Sequence, residues 1–306
     1  MRDIEKLGNP TDLSSYQWGM FSAPKQRRWK TGNRLPCRKA RESVLLRHAA
    51  MRKEHINEAH VFIADYAAWM LACGATCIRI RKNVQRMATT WNLEIELTIM
   101  PYSVHLNAFN SETEENKVFI RRIPQTGINF YKNTQLSRLS WDVADGRVAL
   151  HEAKSRFAAI ITSPDTNRWL VLLLASLANM SFCRIFGGDF SSMGIVFCAT
   201  LIGFLLKQEL LRVHIDVHAV FICCAFVSAV IGASGYTLGI GQTPEIALGT
   251  SVLYLIPGIP YINSISDMLV GQYMVAYSRF MSAMILTFCL SVGLVGGILL
   301  MNLKMF

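Results

Sequence analysis

From Val44 to about Cys73 the apolar positions recur with a period close to 3.6. Val61, Phe62, Ala64, Ala68, Trp69 and Leu71 alternate with polar residues such as Asp65, the pattern of an amphipathic helix. Gly74 interrupts it, and Thr76 stands where a hydroxyl can cap a second helix running to about Trp91. That helix carries Ile78, Ile80, Val84 and Met87 on one face, with Arg79, Arg81, Lys82 and Arg86 mostly outside. The period then drops to two. Leu93 to Ile99 alternates apolar and polar residues as a half-buried strand does, and Met100-Pro101-Tyr102 makes a turn. Ser103 to Phe109 reads as a second strand, and an acidic loop from Asn110 to Asn116 leads to a third, Lys117 to Ile123. After Pro124 one helical segment is expected from about Asn129 to Phe157, with Leu136, Leu139, Val143, Val148 and Leu150 as core candidates.

Beyond Arg168 the pattern changes in kind. Long apolar runs appear, each near the length that spans a bilayer core of about 30 Å. They are Trp169 to Phe186, Phe190 to Leu206, Val217 to Gly235, Ile246 to Ile259 and Met281 to Met301; the fourth is short and broken by Pro257, Gly258 and Pro260. The expected fold class is therefore a membrane all-α bundle of about five transmembrane helices, preceded by a small α+β cytoplasmic domain. The expected boundaries are a disordered basic extension over 1–50, the α+β domain over 51–160 and the transmembrane domain over 161–306.

Charge sharpens this division. From Trp169 onward the basic residues (Arg184, Lys207, Arg212, Arg279, Lys304) equal the acidic ones in number (Asp189, Glu209, Asp216, Glu245, Asp267). The whole formal charge of +10 thus lies in the front half. Lys154, Arg156 and Arg168 precede the first span, Lys207 and Arg212 lie between the second and third, and Arg279 lies between the fourth and fifth. The excess of basic residues on that side places the N-terminus in the cytoplasm and, with an odd count, the C-terminus outside. Within the extension, the run of basic residues from Lys25 to Arg41 reads as unstructured, with Met51 an alternative start, or as an arm for anionic lipid or nucleic acid. Of these the solvated reading is preferred, and no nucleic-acid partner is expected.

The eight cysteines show no paired CxxC spacing. Those in the apolar runs behave as small hydrophobes, and the Cys73/Cys77 pair at helical spacing reads as packing. Residues 1 to 43 contain no apolar core of a secretory signal, so the first membrane helix directs insertion. His214 and His218 sit four apart around Asp216, but two histidines without a third ligand make a poor metal site. No metal or cofactor is expected. No GxxxxGK[ST] loop occurs, which argues against ATP as the direct drive.

Three stretches carry a resemblance. The first is Cys73-Gly74-Ala75-Thr76 with Arg79 and an amphipathic helix, followed by strands. The second is Phe182-Cys183-Arg184-Ile185-Phe186-Gly187-Gly188-Asp189. The third and most specific is Leu255-Ile256-Pro257-Gly258-Ile259-Pro260-Tyr261-Ile262-Asn263, followed by Asp267 and Gly271. In this order and spacing the chain resembles the threonine/serine exporter family over about residues 55 to 303. It is most similar to single-half members of the kind found in the bacterial two-component succinate (dicarboxylate) exporter. The resemblance implies an inner-membrane exporter of small carboxylates or amino acids. It also implies a second small membrane subunit that supplies the other half. About 50 residues precede the point where the family's first helix begins, a departure that puts the extension in doubt rather than the assignment.

The chemistry of the third stretch fits transport. Proline removes a backbone donor and glycine loosens a helix, so the fourth span should unwind at Pro257-Gly258. Transporters use such breaks to turn backbone groups toward a substrate. Asn263, Ser264 and Ser266 would add polar contacts, and Asp267 a carboxyl able to carry a coupling proton. The competing reading is that Pro257 to Pro260 ends the span at the surface and that Asp267 is a solvated or helix-capping acid. Asp189 is a candidate gate in a tight Gly187-Gly188 loop. Arg184 is a candidate carboxylate contact, or a side chain that reaches the headgroups. Asn179, Ser176 and Ser181 read as interhelical hydrogen-bonding groups, and Gly293, Gly296 and Gly297 as a helix-packing face, against another helix of the chain or against the partner.

Two other classes stay open. A membrane-anchored sensor would use its front domain to bind a ligand and its helices only as an anchor, and would tolerate changes at Pro257 and Asp267. An enzyme would need a nucleophile–base pair, acid pair or metal cluster in the front domain. None has convincing spacing, and His105 and His151 are isolated.

Overall fold

The computed structural model describes residues 56–110, 115–164 and 166–302, all of them within one unit spanning Arg52–Phe306. The expectations for the basic extension fall outside the described residues.

The chain is helical over 56–72 (α1), then forms α2 (Cys77–Thr90), β1 (Glu94–Ile99), β2 (Ser103–Asn110) and β3 (Glu115–Arg122). The strands make an antiparallel sheet in the order β1-β2-β3, with Leu97 opposite Leu106 and Leu106 opposite Phe119. Val104, Leu106 and Ala108 of the central strand are buried, so the period of two in the sequence is one face turned to the core. The opposite face keeps Val118 and Ile120 exposed on the edge strand β3.

The single helix expected over 129–157 is two. They are α3 (Phe130–Ala144) and α4 (Leu150–Thr162), separated at Gly146, whose φ of +68° is left-handed. The N–H groups of Asp145 and Gly146 return to Trp141 and Val143, which closes α3 before α4 begins. Leu136, Leu139, Val143, Val148 and Leu150 are nonetheless all buried, because each half helix lays its apolar stripe on the same core. Tyr66 of α1 stands at the centre of that core, donating from its hydroxyl to the Leu136 carbonyl at 2.8 Å and accepting from Asn83 at 3.1 Å.

The second half holds α5 (Arg168–Ile185), α6 (Phe190–Arg212), α7 (Val217–Gly232), a short α8 (Ser234–Leu238), α9 (Pro244–Ser251) with a 3-10 turn (Leu253–Leu255), α10 (Gly258–Leu269) and α11 (Tyr273–Leu300). Among the described residues four helical stretches are long and apolar enough to cross a membrane: Arg168–Ile185, Phe190–Arg212, Val217–Leu238 and Tyr273–Leu300. A fifth crossing exists if the pair Pro244–Leu255 and Gly258–Leu269, bent by 61°, counts as one. The fourth apolar run is therefore longer than its composition suggests: a full helix follows the break. Pro260 does not stop α10, because it lies in the first turn, where its missing N–H would have had no helical partner.

The bundle is held by close backbone approach. A Cβ on Gly293 would overlap the Ile222 carbonyl, and one on Gly297 would lie 2.6 Å from Ala229, so these glycines seat α11 directly on α7. The helix-packing face expected at these glycines is filled within the chain, by α7, at Gly293 and Gly297. Several polar groups inside the bundle are paired: Asn179 donates to Thr200 at 2.6 Å and to the Thr250 carbonyl at 3.1 Å, and Ser228 pairs with Tyr254 at 2.9 Å.

Candidate functional site

The turn that ends α1 is built on Gly74, at φ +85°, a left-handed conformation that side chains rarely adopt. A Cβ there would also sit 2.8 Å from Ile128. The turn aims three backbone groups, the Gly74 and Ala75 carbonyls and the Cys77 N–H, toward α10 and α11. Each finds a partner there.

Asn263 donates to the Gly74 carbonyl at 3.0 Å. Arg279 of α11 donates from Nη2 to the Ala75 carbonyl at 2.9 Å and from Nη1 to Asp267 Oδ2 at 2.6 Å. Asp267 Oδ1 accepts from the Cys77 N–H at 2.7 Å. Asp267 is fully buried and the Arg279 side chain is partly exposed, so this is a largely buried ion pair with both carboxylate oxygens occupied. The Cys77 N–H is one of the unpaired donors at the start of α2, and a carboxylate suits the positive end of a helix dipole. Thr76 has the extended backbone of an N-cap but makes no side-chain cap hydrogen bond. The carboxylate that caps α2 comes from 190 residues further on. Burial, followed by the charge of Asp267, pushes the Cys77 thiol up to about 12.

The break places these groups. Ile256 and Pro257 are non-helical, α10 restarts at Gly258, and Asn263 and Asp267 then fall one turn apart on one face. Ser264, also fully buried, donates to the Ala276 carbonyl at 2.7 Å and so ties α10 to α11. Gly271, at φ +79°, makes the tight connection that brings Arg279 back beside Asp267.

The remaining sequence candidates lie elsewhere. Asp189 caps α6, accepting from the Ser192 N–H at 3.4 Å and from the Thr243 hydroxyl at 2.8 Å. The neighbouring Ser192 and Thr243 hydroxyls hold its carboxyl well below the usual carboxylate range. Arg184 donates to the Gly188 carbonyl at 3.1 Å and lies over the Phe190 ring. These two stabilise the α5–α6 turn. His218 shares the Asp216 carboxylate at the start of α7.

Two participants escape the sequence reading. Arg279 enters it only as a charge that orients the chain, and the Gly74 turn only as part of a motif. The signal for Arg279 was available: it is the one basic residue between Arg212 and Lys304, twelve positions after Asp267. A lone cation close in sequence to a lone acid within an apolar stretch is a pairing candidate.

A family model described as "Putative threonine/serine exporter" (ThrE) matches residues 61–301. Relatives include the "Probable succinate transporter subunit YjjP" of Escherichia coli, 33% identical over 140 residues, which are 45% of this chain and 54% of that protein. The protein of the same name from Klebsiella aerogenes is 28% identical over 189 residues, 60% of this chain and 71% of the relative. A "Probable threonine/serine exporter" of Mycobacterium tuberculosis is 21% identical over 237 residues, 76% of this chain and 43% of the relative. The match thus spans about half the length of the first relative. No solved structure matches the chain. The matched region takes in both the Gly74 turn and the α10–α11 elements that grip it, and the chain belongs to the threonine/serine exporter family.

Proposed function

We propose that the chain is one subunit of a secondary exporter in the bacterial inner membrane, moving a small carboxylate such as succinate, or threonine or serine, together with a second membrane subunit. The relatives named as succinate transporter subunits support the two-subunit reading, and the family supports export. In this reading residues up to about 160 lie in the cytoplasm, α5, α6, α7 and α11 cross the membrane, and the bent α9–α10 pair lines the path.

The observation that carries it is the buried Asp267–Arg279 pair bound to the Gly74 turn. Ionisable residues in membrane segments are costly and mark substrate or ion paths. This pair also joins a broken helix to the front domain, so a change in its bonding moves the break and the domain together. An anchor for a sensor has no need of a buried ion pair at a helix break.

Efflux decides the matter. Cells lacking their own exporters are given this chain with and without the proposed second subunit, and succinate and threonine are followed in the medium. Partner-dependent efflux that Asp267→Asn abolishes, at unchanged membrane abundance, supports exporter and site together. Efflux that survives Asp267→Asn keeps the exporter and removes the site. Absence of efflux for either solute, with both subunits in the membrane, refutes the substrate classes proposed here.

A further inference from the structure

A cavity of about 200 Å³ opens where the end of α1 (Leu71), the β1–β2 turn (Pro101), the segment after β3 (Ile123, Thr126) and the second turn of α11 (Ser278, Arg279) come together. Arg279 is the charged group of its lining; the other lining residues are apolar or carry a hydroxyl. A guanidinium has five N–H donors. Arg279 spends one on Asp267 and one on the Ala75 carbonyl, which leaves three with no partner among the described residues, on a side chain that lines the cavity. The space is smaller than the roughly 300–1,000 Å³ typical of drug-sized ligands, and suits a molecule of few heavy atoms.

We propose that this cavity is the loading site for the transported carboxylate, with Arg279 as its anchor and the Ser278 and Thr126 hydroxyls as further contacts. The inference rests on the exporter reading, which puts this end of α11 on the cytoplasmic side, where an exporter takes up its cargo. A planar guanidinium matches a carboxylate through paired N–H bonds, so it recognises the group that succinate and threonine share. Asp267 then has a second effect. Its negative charge balances Arg279, so a passing anion gains little from charge alone, and only a ligand that fits the cavity and meets the free donors is held. The two walls of the cavity belong to the front domain and to α11, and a bound carboxylate bridges them at the same arginine that grips the Gly74 turn.

The test is equilibrium binding of radiolabelled succinate to the full chain in lipid nanodiscs, with threonine and the uncharged diamide succinamide as competitors. Saturable binding is expected, displaced by threonine and not by succinamide. Arg279→Gln should weaken it by roughly ten- to hundredfold, the range for a lost hydrogen bond to a charged group. Because that change also breaks the ion pair, Thr126→Tyr is the second variant: it fills the cavity from an exposed loop and leaves Asp267 and Arg279 in place. Its affinity should fall at least tenfold with thermal stability unchanged. Wild-type affinity in Thr126→Tyr, displacement by succinamide, or no saturable binding by the wild type each overturn the site, since the cavity is formed by this chain alone. Efflux separates this from the exporter reading. Efflux with unaltered binding in Thr126→Tyr sinks the site and keeps the exporter. Binding lost in Thr126→Tyr, from a chain that exports nothing, keeps the site and sinks the exporter.

Discussion

Removing either member of the Asp267–Arg279 pair should cost far more than an exposed ion pair would. Asp267 is fully buried, and the Arg279 side chain keeps 17% of its exposure. Truncating one partner of a buried pair costs roughly 3–5 kcal/mol, because the other charge is left unsolvated and unpaired. Asp267→Ala strands the guanidinium and also the Cys77 N–H at the start of α2; Arg279→Ala strands the carboxylate and the Ala75 carbonyl. The residual exposure of Arg279 favours the lower part of the range, about 3 kcal/mol for each single variant. The double variant leaves no stranded charge, so its loss should be about 4 kcal/mol rather than the sum, a coupling of about 2 kcal/mol. Thermal unfolding in detergent, followed by tryptophan fluorescence, reads this as a shift of about 2–4 °C per kcal/mol for a unit of this size. Each single variant should melt roughly 6–12 °C below wild type, with the double variant close behind. Losses that add to within about 0.5 kcal/mol would show that the two charges do not depend on each other, and the site as described would fall.

Three further outcomes are expected. Gly74→Ala should cost about 1–3 kcal/mol through its left-handed backbone, and Ile128→Ala in the same chain should relieve the contact but not the backbone strain; a melting temperature equal to wild type would contradict the turn geometry. The Cys77 thiol, raised from 9.0 to about 12, should resist alkylation at pH 8 in the folded protein. A raised pKa means that the folded state holds the proton more tightly. Its contribution is therefore complete below pH 9 and lost as pH rises toward 12, and the melting temperature of wild type should fall across that window more than that of Cys77→Ala. Gly293→Ala should destabilise by about 1–3 kcal/mol, because its Cβ meets the Ile222 backbone, while Gly296→Ala is nearly neutral; equal effects in a denaturation series would refute the α7–α11 packing.

The polarity pattern by itself determined most of the local structure. The period of 3.6 in α1 and α2, the period of two in the strands, and the apolar runs of the second half each reflect a constraint within one element, and adjacent residues record it. The core positions of α3 and α4 were legible for the same reason, even though the break at Gly146 was not: a glycine in a helical pattern is compatible with both a continuous and a divided helix, and only the packing of two halves on one core selects the division. The break at Pro257 was legible from proline chemistry, but the length of α10 beyond it was not, since a first-turn proline and an interior proline look alike until the helix start is known. The tertiary structure alone decided what meets what. Periodicity gives the face that an element buries and carries no information about the element it is buried against. Asp267 was visible as a costly acid, whereas its partners, a backbone N–H 190 residues away and an arginine read as an orienting charge, are set by how α10 and α11 fold back onto the Gly74 turn. The same holds for Gly293 and Gly297: small residues show that something comes close, and only the fold shows that it is α7.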